Sequence, residues 1–131
     1  MARPQARRLS LHEQAFALRE RYPHAPAPRV WRGRLTWTVQ LQPTPLSTTY
    51  TVRVTSDGIG RPKVLVLDPA LEDPWGGGLP HVFPPDELCL YRDEFHVWHD
   101  LIAVKMVPWV SEWLYYYELW GLPRLWLTPD L

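Results

Sequence analysis

Two stretches of this chain alternate apolar and polar residues with a period of two. Residues 34–41 carry Leu, Trp, Val and Leu at every second position, and residues 50–55 repeat the pattern with Tyr, Val and Val. Such alternation predicts β-strands with one buried face and one hydrated face. Turn-forming residues at 43–47 and 56–60 separate these stretches from each other and from a third apolar segment at 63–67. The three segments predict an antiparallel meander of consecutive strands.

The residues before the meander predict an amphipathic helix. Ser10 and Glu13 have the Ser-x-x-Glu spacing of a capping box, in which each side chain satisfies a backbone N–H of the first helical turn. The apolar residues that follow recur at helical spacing: Leu11, Ala15, Leu18 and Tyr22. We expect a helix over residues 11–21 that ends before Pro23, because proline cannot continue a helix.

A second helical pattern occupies the C-terminal part of the chain. Its apolar residues are spaced by four, three, four, three and four positions: Ile102, Met106, Trp109, Trp113, Tyr116 and Trp120. Pro108 interrupts this stripe and predicts either a kink or two helices, with Pro108 at the first position of the second. Gly121 and Pro123 predict the helix end. A helix before and a helix after an antiparallel meander in the chain indicate an α+β fold.

Length and charge restrict the function further. With 131 residues the chain is expected to be a single domain, in which residues 1–9 are flexible and 124–131 have no clear pattern. Fourteen basic residues balance 14 acidic ones, so no overall field would recruit nucleic acid or an anionic membrane. The N-terminal stretch lacks the continuous apolar core that a signal peptide would need, and no 18 apolar residues run together. We expect a soluble, cytoplasmic protein without a bound cofactor or metal.

Between the meander and the second helix lies a long proline-rich segment that carries the only cysteine, Cys89. Long loops in small domains are often functional. Gly76-Gly77-Gly78 is not followed by Lys-Ser or Lys-Thr, so a hinge is favoured over a phosphate-binding loop. A single thiol cannot form an internal disulfide, and taken alone it is most often a small buried apolar residue. Its surroundings decide between that interpretation and thiol chemistry.

Those surroundings resemble the ubiquitin-conjugating enzymes. Members of that superfamily begin a strand with Pro-Pro-Lys-Val, continue with His-Pro-Asn, and place the catalytic cysteine eight residues after the Asn. Here Arg61-Pro62-Lys63-Val64 is similar to the first motif, Leu79-Pro80-His81 occupies the position of the second, and Cys89-Leu90 matches the third. The resemblance implies a UBC-like catalytic domain over residues 1–131, with an active-site loop in which Cys89 forms a thioester.

Leu88-Cys89-Leu90-Tyr91 and the Trp-rich residues 108–120 narrow the resemblance to a bacterial branch of antiphage defence. That branch includes the stand-alone conjugating enzymes of short type II cyclic-oligonucleotide-based antiphage signalling (CBASS) operons. The implied acyl donor is the C-terminus of a cGAS-like nucleotidyltransferase or of a ubiquitin-like protein, with or without an activating enzyme. The implied acceptor is an amine of a target protein.

The chemistry expected of such a site places two residues in catalytic roles. Cysteine is nucleophilic enough to accept an acyl group by thioester exchange at an ordinary pKa of about 8.5. Attack by an amine then develops negative charge on the carbonyl oxygen, which a preorganised donor stabilises. His81 replaces the asparagine of the family pattern, and its imidazole could donate to that oxyanion or order the loop. Both roles stay open.

Three other interpretations compete with this one. A cysteine hydrolase would pair Cys89 with a histidine, and His81, His96 and His99 are near in sequence, but no local signature supports it. A metal site from Cys89, His96, His99 and Asp100 is conceivable but not favoured. The stronger rival is a UBC-like domain that only binds, through its many Trp and Tyr residues. The cysteine at the family spacing favours the enzyme.

Overall fold

The computed structural model describes residues 8–72, 82–83, 87–88 and 95–121. The elements in chain order are α1 (Leu11–Arg21), β1 (Arg29–Trp31), β2 (Arg34–Leu41), β3 (Tyr50–Ser56), β4 (Lys63–Asp68), β5 (Val82–Phe83), β6 (Glu87–Leu88), a π-helix (Ile102–Met106) and α2 (Val107–Trp120). The strands form one sheet of order β1-β2-β3-β4-β6-β5, in which every neighbouring pair is antiparallel. The chain is therefore α+β, as predicted, and its architecture is compatible with a UBC-like fold.

The N-terminal helix begins as the sequence predicts. The Ser10 hydroxyl accepts from the backbone N–H of Glu13, and the Glu13 carboxylate accepts from the backbone N–H of Ser10, both at 3.1 Å. Two backbone donors of the first turn are thereby satisfied reciprocally. Ala15 and Leu18 are buried, and Tyr22 packs against the core as the helix ends. The predicted helix over 11–21 is confirmed.

The three predicted strands are confirmed as β2, β3 and β4. Three short strands, β1, β5 and β6, were not predicted, and β5 lies where the prolines predicted no regular structure. β1 follows a proline-rich connection and pairs with the start of β2. Arg32 and Gly33 join the two strands in a two-residue turn, with φ angles of 48° and 73°. Positive φ at both positions gives the twist that a tight hairpin needs. Such turns usually carry Asn-Gly or Asp-Gly, so Arg-Gly was a weak signal.

One face of the sheet and the helices share a single core. Alternate residues of β2, β3 and β4 are buried: Leu35, Trp37, Val39, Leu41, Tyr50, Val52, Val54, Val64 and Val66. Trp37 is 1% exposed, and its indole N–H donates to the carbonyl of Pro26 at 2.9 Å. The proline-rich connection thus satisfies the one polar group of this ring and holds the chain between α1 and β1 against the sheet.

The C-terminal helical region contains a π-helix that the sequence did not predict. The backbone N–H of Val107 donates to the carbonyl of Ile102, so the chain enters α2 through a π-helix. Pro108 is the second residue of α2, in the first helical turn, where proline is tolerated. The buried residues of α2 are Val107, Val110 and Leu114, whereas Tyr116 of the predicted stripe is 53% exposed.

Several predictions fall outside the described residues. These are the flexibility predicted for residues 1–9, of which 1–7 lie outside, the character of the tail 124–131, and the course of the loop through 73–81, 84–86 and 89–94. Within the described ranges, no helix has both the length and the apolar character of a membrane span.

Candidate functional site

The two predicted catalytic residues, His81 and Cys89, lie outside the described residues. Their immediate neighbours in the chain are described, because His81 precedes β5 and Cys89 follows β6 directly. The geometry that can be given for this site is therefore that of the strands that carry it.

β5 and β6 attach both sides of the site to the sheet. Val82 pairs with Leu88 and Phe83 with Glu87 in antiparallel register. Glu87 also pairs with Leu65 of β4, which joins this small hairpin to the main meander. Leu88 is 4% exposed and belongs to the core. Burial of Leu88 anchors the chain at the position just before the thiol, so the backbone there is set by the core rather than by a free loop.

A tight turn with a central carboxylate lies between the site and the π-helix. One oxygen of Asp100 accepts from the backbone N–H of His96 at 2.7 Å and from the Lys105 ammonium at 3.2 Å. Its other oxygen lies 3.2 Å from Nδ1 of His99. Burial alone would raise the pKa of Asp100, but the His96 N–H and the Lys105 charge outweigh it and hold that pKa below its usual range. The carboxylate therefore stays ionised and organises the turn.

The two histidines of this turn stack on one another. The rings of His96 and His99 have centroids 4.8 Å apart and planes inclined by 30°. The Trp98 ring lies 5.4 Å from His96 and is 48% exposed. Among the described residues, no three His, Cys, Asp or Glu side chains come together as metal ligands would. The fourth member of the weighed metal set, Cys89, lies outside them.

The C-terminal half of α2 carries two polar contacts that the sequence did not single out. The Glu118 carboxylate accepts from the Ser47 hydroxyl at 2.6 Å, from the Thr48 backbone N–H at 3.2 Å and from the Tyr50 hydroxyl at 3.0 Å. It thereby holds the β2–β3 connection against the helix. The only local signal was a carboxylate in an otherwise aromatic helix segment.

The second contact is made by Glu72, next to residues 73–81, which include His81. The hydroxyl of Tyr117 accepts from the backbone N–H of Glu72 at 2.8 Å and donates to the carbonyl of the same residue at 3.3 Å. Glu72 is the last described residue before 73–81. Because this contact joins residues 45 positions apart, no local pattern could have identified it.

Comparison with known families decides what kind of protein carries this site. A sequence model described as type II CBASS E2 protein matches residues 14–130, a range that includes both His81 and Cys89. The chain belongs to the type II CBASS E2 family. This E2-like protein is therefore associated with CBASS and with antiphage defence, as the motifs around Cys89 predicted. No curated protein matches the chain.

Proposed function

We propose that this E2 protein is an acyltransferase that accepts a protein C-terminus as a thioester on Cys89 and passes it to an amine of a target protein. The observation that carries the proposal is the family match, which spans nearly the whole chain and includes the cysteine. The element order supports it, because the thiol directly follows a strand of the sheet whose last residue is buried in the core.

The register of the site strands supports a role for His81 beside Cys89. Val82 and Leu88 are partners in β5 and β6, and His81 and Cys89 are the next positions outward along the two strands. This adjacency in the register favours His81 as the donor for the transfer step. His81 would then donate an N–H to the oxyanion of the transfer step.

The proposed reaction has two balanced steps. The Cys89 thiolate attacks the carbonyl of the donor, forming a new C–S bond while the donor's leaving group departs. When the donor is itself a thioester the free-energy change is small, so positioning governs the rate. A neutral amine then attacks the Cys89 thioester, an oxyanion forms and collapses, and Cys89 leaves as thiolate. The amine proton passes to solvent, and the product is an amide.

Family context suggests candidates for the acyl donor and the acceptor. CBASS association favours, as the donor, the C-terminus of a cGAS-like nucleotidyltransferase from the same operon, and a ubiquitin-like protein is the other candidate. A donor that arrives as a free carboxylate needs ATP and an activating enzyme, whereas one that arrives as a thioester needs neither. The acceptor is an amine, most simply the ε-amine of a lysine.

Intact-mass measurement of adducts tests this proposal. We expect the purified chain, incubated with its operon neighbours and ATP, to gain the donor's mass in a form that thiol reductants remove. Cys89→Ala abolishes this adduct, and Cys89→Ser forms an oxygen ester that resists reductant. Because the chain has one cysteine, a reductant-sensitive adduct reports on that residue alone. An adduct that persists in Cys89→Ala, or no adduct in the native chain with either donor, would contradict the thioester mechanism.

One contact favours a second function, a cysteine hydrolase. The Asp100 carboxylate lies against Nδ1 of His99, which is how a carboxylate orients a catalytic imidazole. His99 would then act as the base for Cys89. A hydrolase consumes a thioester or amide without accumulating a conjugate, and His99→Ala would abolish that turnover. Stable conjugate formation that survives His99→Ala would exclude this alternative, and a chain that only binds would show neither outcome.

A further inference from the structure

The face of the sheet that points away from the core forms a continuous surface across β1, β2, β3 and β4. Successive residues of a strand point to opposite faces, so the residues between the buried ones lie on this outer face. The register places Trp31 opposite Arg34 and Arg29 opposite Thr36, which brings β1 into the same surface. We call this surface the basic sheet face, and it consists of Arg29, Trp31, Arg34, Thr36, Thr38, Arg53, Thr55, Lys63 and Leu65.

Every charged residue of the basic sheet face is a cation. Arg29, Arg34, Arg53 and Lys63 are all exposed. The chain as a whole has 14 basic and 14 acidic residues, and hydrated protein surfaces usually intersperse the two signs. The balanced net charge therefore coexists with a local excess of positive charge on this face.

Acidic positions border the basic sheet face instead of lying within it. Asp57 follows β3, Asp68 is paired with Thr51 at the far end of β4, and Glu87 lies in β6 beyond β4. Asp57 interacts electrostatically with Arg34. Arg29, Arg53 and Lys63 are thus left to attract an anion from outside the chain.

Trp31 adds an exposed ring to these cations. Its side chain is 60% exposed, and the Arg32 guanidinium lies 5.5 Å from its ring centroid. Val30, the preceding residue, packs against the core and fixes β1 while the indole faces solvent. An exposed indole surrounded by arginines is a surface on which an unpaired base stacks.

We propose that the basic sheet face binds single-stranded nucleic acid, with its cations on phosphates and Trp31 stacked on a base. Arginine, lysine and threonine are side chains that contact phosphates, and bases can stack on an aromatic ring only where they are unpaired. A docked protein would instead need an apolar centre that is depleted of charge, and this face has cations and hydroxyls around one ring. The inference is independent of the thioester chemistry.

The sheet register sets the size of the ligand. Arg29 and Lys63 lie in one row, with Thr36 and Thr55 between them. Three strand spacings separate them, which is about 14 Å between Cα atoms. A strand of several nucleotides is therefore needed to reach both cations, and a mononucleotide is too short.

Fluorescence anisotropy of labelled oligonucleotides tests the proposal. Oligouridylate and oligothymidylate of about 12 nucleotides are each titrated with the purified full chain. If the four cations of the face contact phosphates, the Kd should rise about 50-fold between about 50 and about 200 mM salt. The oligomer that binds more tightly identifies the preferred sugar.

A matched pair of charge variants locates the binding surface. Arg53→Gln combined with Lys63→Gln should weaken binding and reduce the slope of log Kd against log salt by about 1.4. Arg19→Gln combined with Arg21→Gln is the control, because it removes the same net charge from exposed positions of α1. Its Kd and its salt slope should stay within about twofold of those of the native chain.

A matched pair of aromatic variants tests the stacking. Trp31→Ala should raise the Kd about five- to 100-fold, the size of one base–aromatic stack, and Trp31→Phe should keep most of the affinity. Phe16→Ala is the control, since Phe16 is 63% exposed on α1 and lies outside the basic sheet face. The Tm of each variant shows that it is folded, and if Trp31→Ala is not, the charge variants and Trp31→Phe still decide.

Salt-dependent binding that falls in the Arg53, Lys63 and Trp31 variants, but not in the two controls, supports the inference. No binding of either oligomer at about 50 mM salt would overturn it, as would binding that the basic sheet face variants leave unchanged. Labelled polyglutamate of about 12 residues is the probe for an acidic protein partner. Polyglutamate that binds as tightly as the oligonucleotides, with no effect of Trp31→Ala on either, would also overturn it. None of these outcomes changes the adduct expected on Cys89.

Discussion

The side-chain oxygen of Gln14 accepts a hydrogen bond from the backbone N–H of Ile102 at 2.9 Å, between residues 88 positions apart. The side-chain N–H of Gln14 donates to the carbonyl of Asp100 at 2.8 Å. Gln14 is 2% exposed, so both bonds lie away from water. Ile102 is the first residue of the π-helix, where backbone N–H groups have no helical partner. Gln14 of α1 thus caps the first N–H of the π-helix, since the N-cap residue Leu101 makes no side-chain hydrogen bond to it.

Replacement of Gln14 should destabilise the fold more than its polarity suggests. Gln14→Ala leaves one buried N–H and one buried carbonyl unpaired, at a cost of about 2–4 kcal/mol in the free energy of unfolding. Urea unfolding monitored by tryptophan fluorescence measures this loss. Gln40→Ala, at an exposed position of β2, is the control and should change stability by less than about 0.5 kcal/mol. Equal effects of the two substitutions would show that the buried cap contributes nothing.

The raised pKa of Tyr50 predicts that the fold loses stability at alkaline pH. Burial raises its pKa above the usual range, and the hydrogen bond that it donates to Glu118 adds to the effect. The folded state keeps the phenol proton while the unfolded state releases it near pH 10, so this contribution is complete below about pH 10 and is lost as pH rises further. Tyr50→Phe should therefore cost about 1–3 kcal/mol at pH 8.

The difference in unfolding free energy between native chain and Tyr50→Phe should stay constant up to about pH 10 and shrink above it. Chemical denaturation at intervals from pH 8 to 11 measures it. Tyr115→Phe removes a phenol that is 40% exposed and is the control. A difference that stays constant through pH 11 would contradict the assignment of the raised pKa to this residue.

The lowered pKa of Asp100 predicts that the fold loses stability at acidic pH. Because the His96 N–H and the Lys105 ammonium hold its pKa below the usual range, its contribution is complete above about pH 4 and is lost as pH falls through the folded-state pKa. Asp100→Asn should cost about 0.5–1.5 kcal/mol at pH 7, because the bond from Lys105 loses its charge assistance. Unfolding measured at pH 7 and below pH 3 should show the native and variant stabilities converging in acid. Divergence in acid would contradict this sign.

Replacement of His81 should affect the rates of the two steps of the proposed reaction differently. His81→Ala should leave thioester formation on Cys89 nearly unchanged and slow aminolysis by about 100-fold or more, as loss of an oxyanion donor does. His81→Asn restores an N–H donor and should recover most of that rate. Single-turnover mass spectrometry, with and without lysine, separates the steps. Equal loss of both steps, without rescue by asparagine, would assign His81 to loop ordering instead.

Local patterns predicted the elements that local energies decide. The capping box of Ser10 and Glu13 and the alternation of residues 34–41 each express an interaction within a few positions of sequence, and the structure confirms both. β1 was not predicted, since its pairing depends on an Arg-Gly turn that is uncommon in hairpins. Apolar spacing predicted the helix α2 but not which face of it is buried, since Val110 and Leu114 are buried while Tyr116 of the stripe is 53% exposed.

The sequence by itself determined that this is an α+β chain with one thiol, at a spacing that identifies its family. It could do so because a strand period, a helix cap and a short motif are each contained in a contiguous stretch. Only the tertiary structure decided which distant groups satisfy one another. Gln14 meets the π-helix and Tyr117 meets Glu72 across long sequence separations, and such contacts depend on the three-dimensional course of the whole chain.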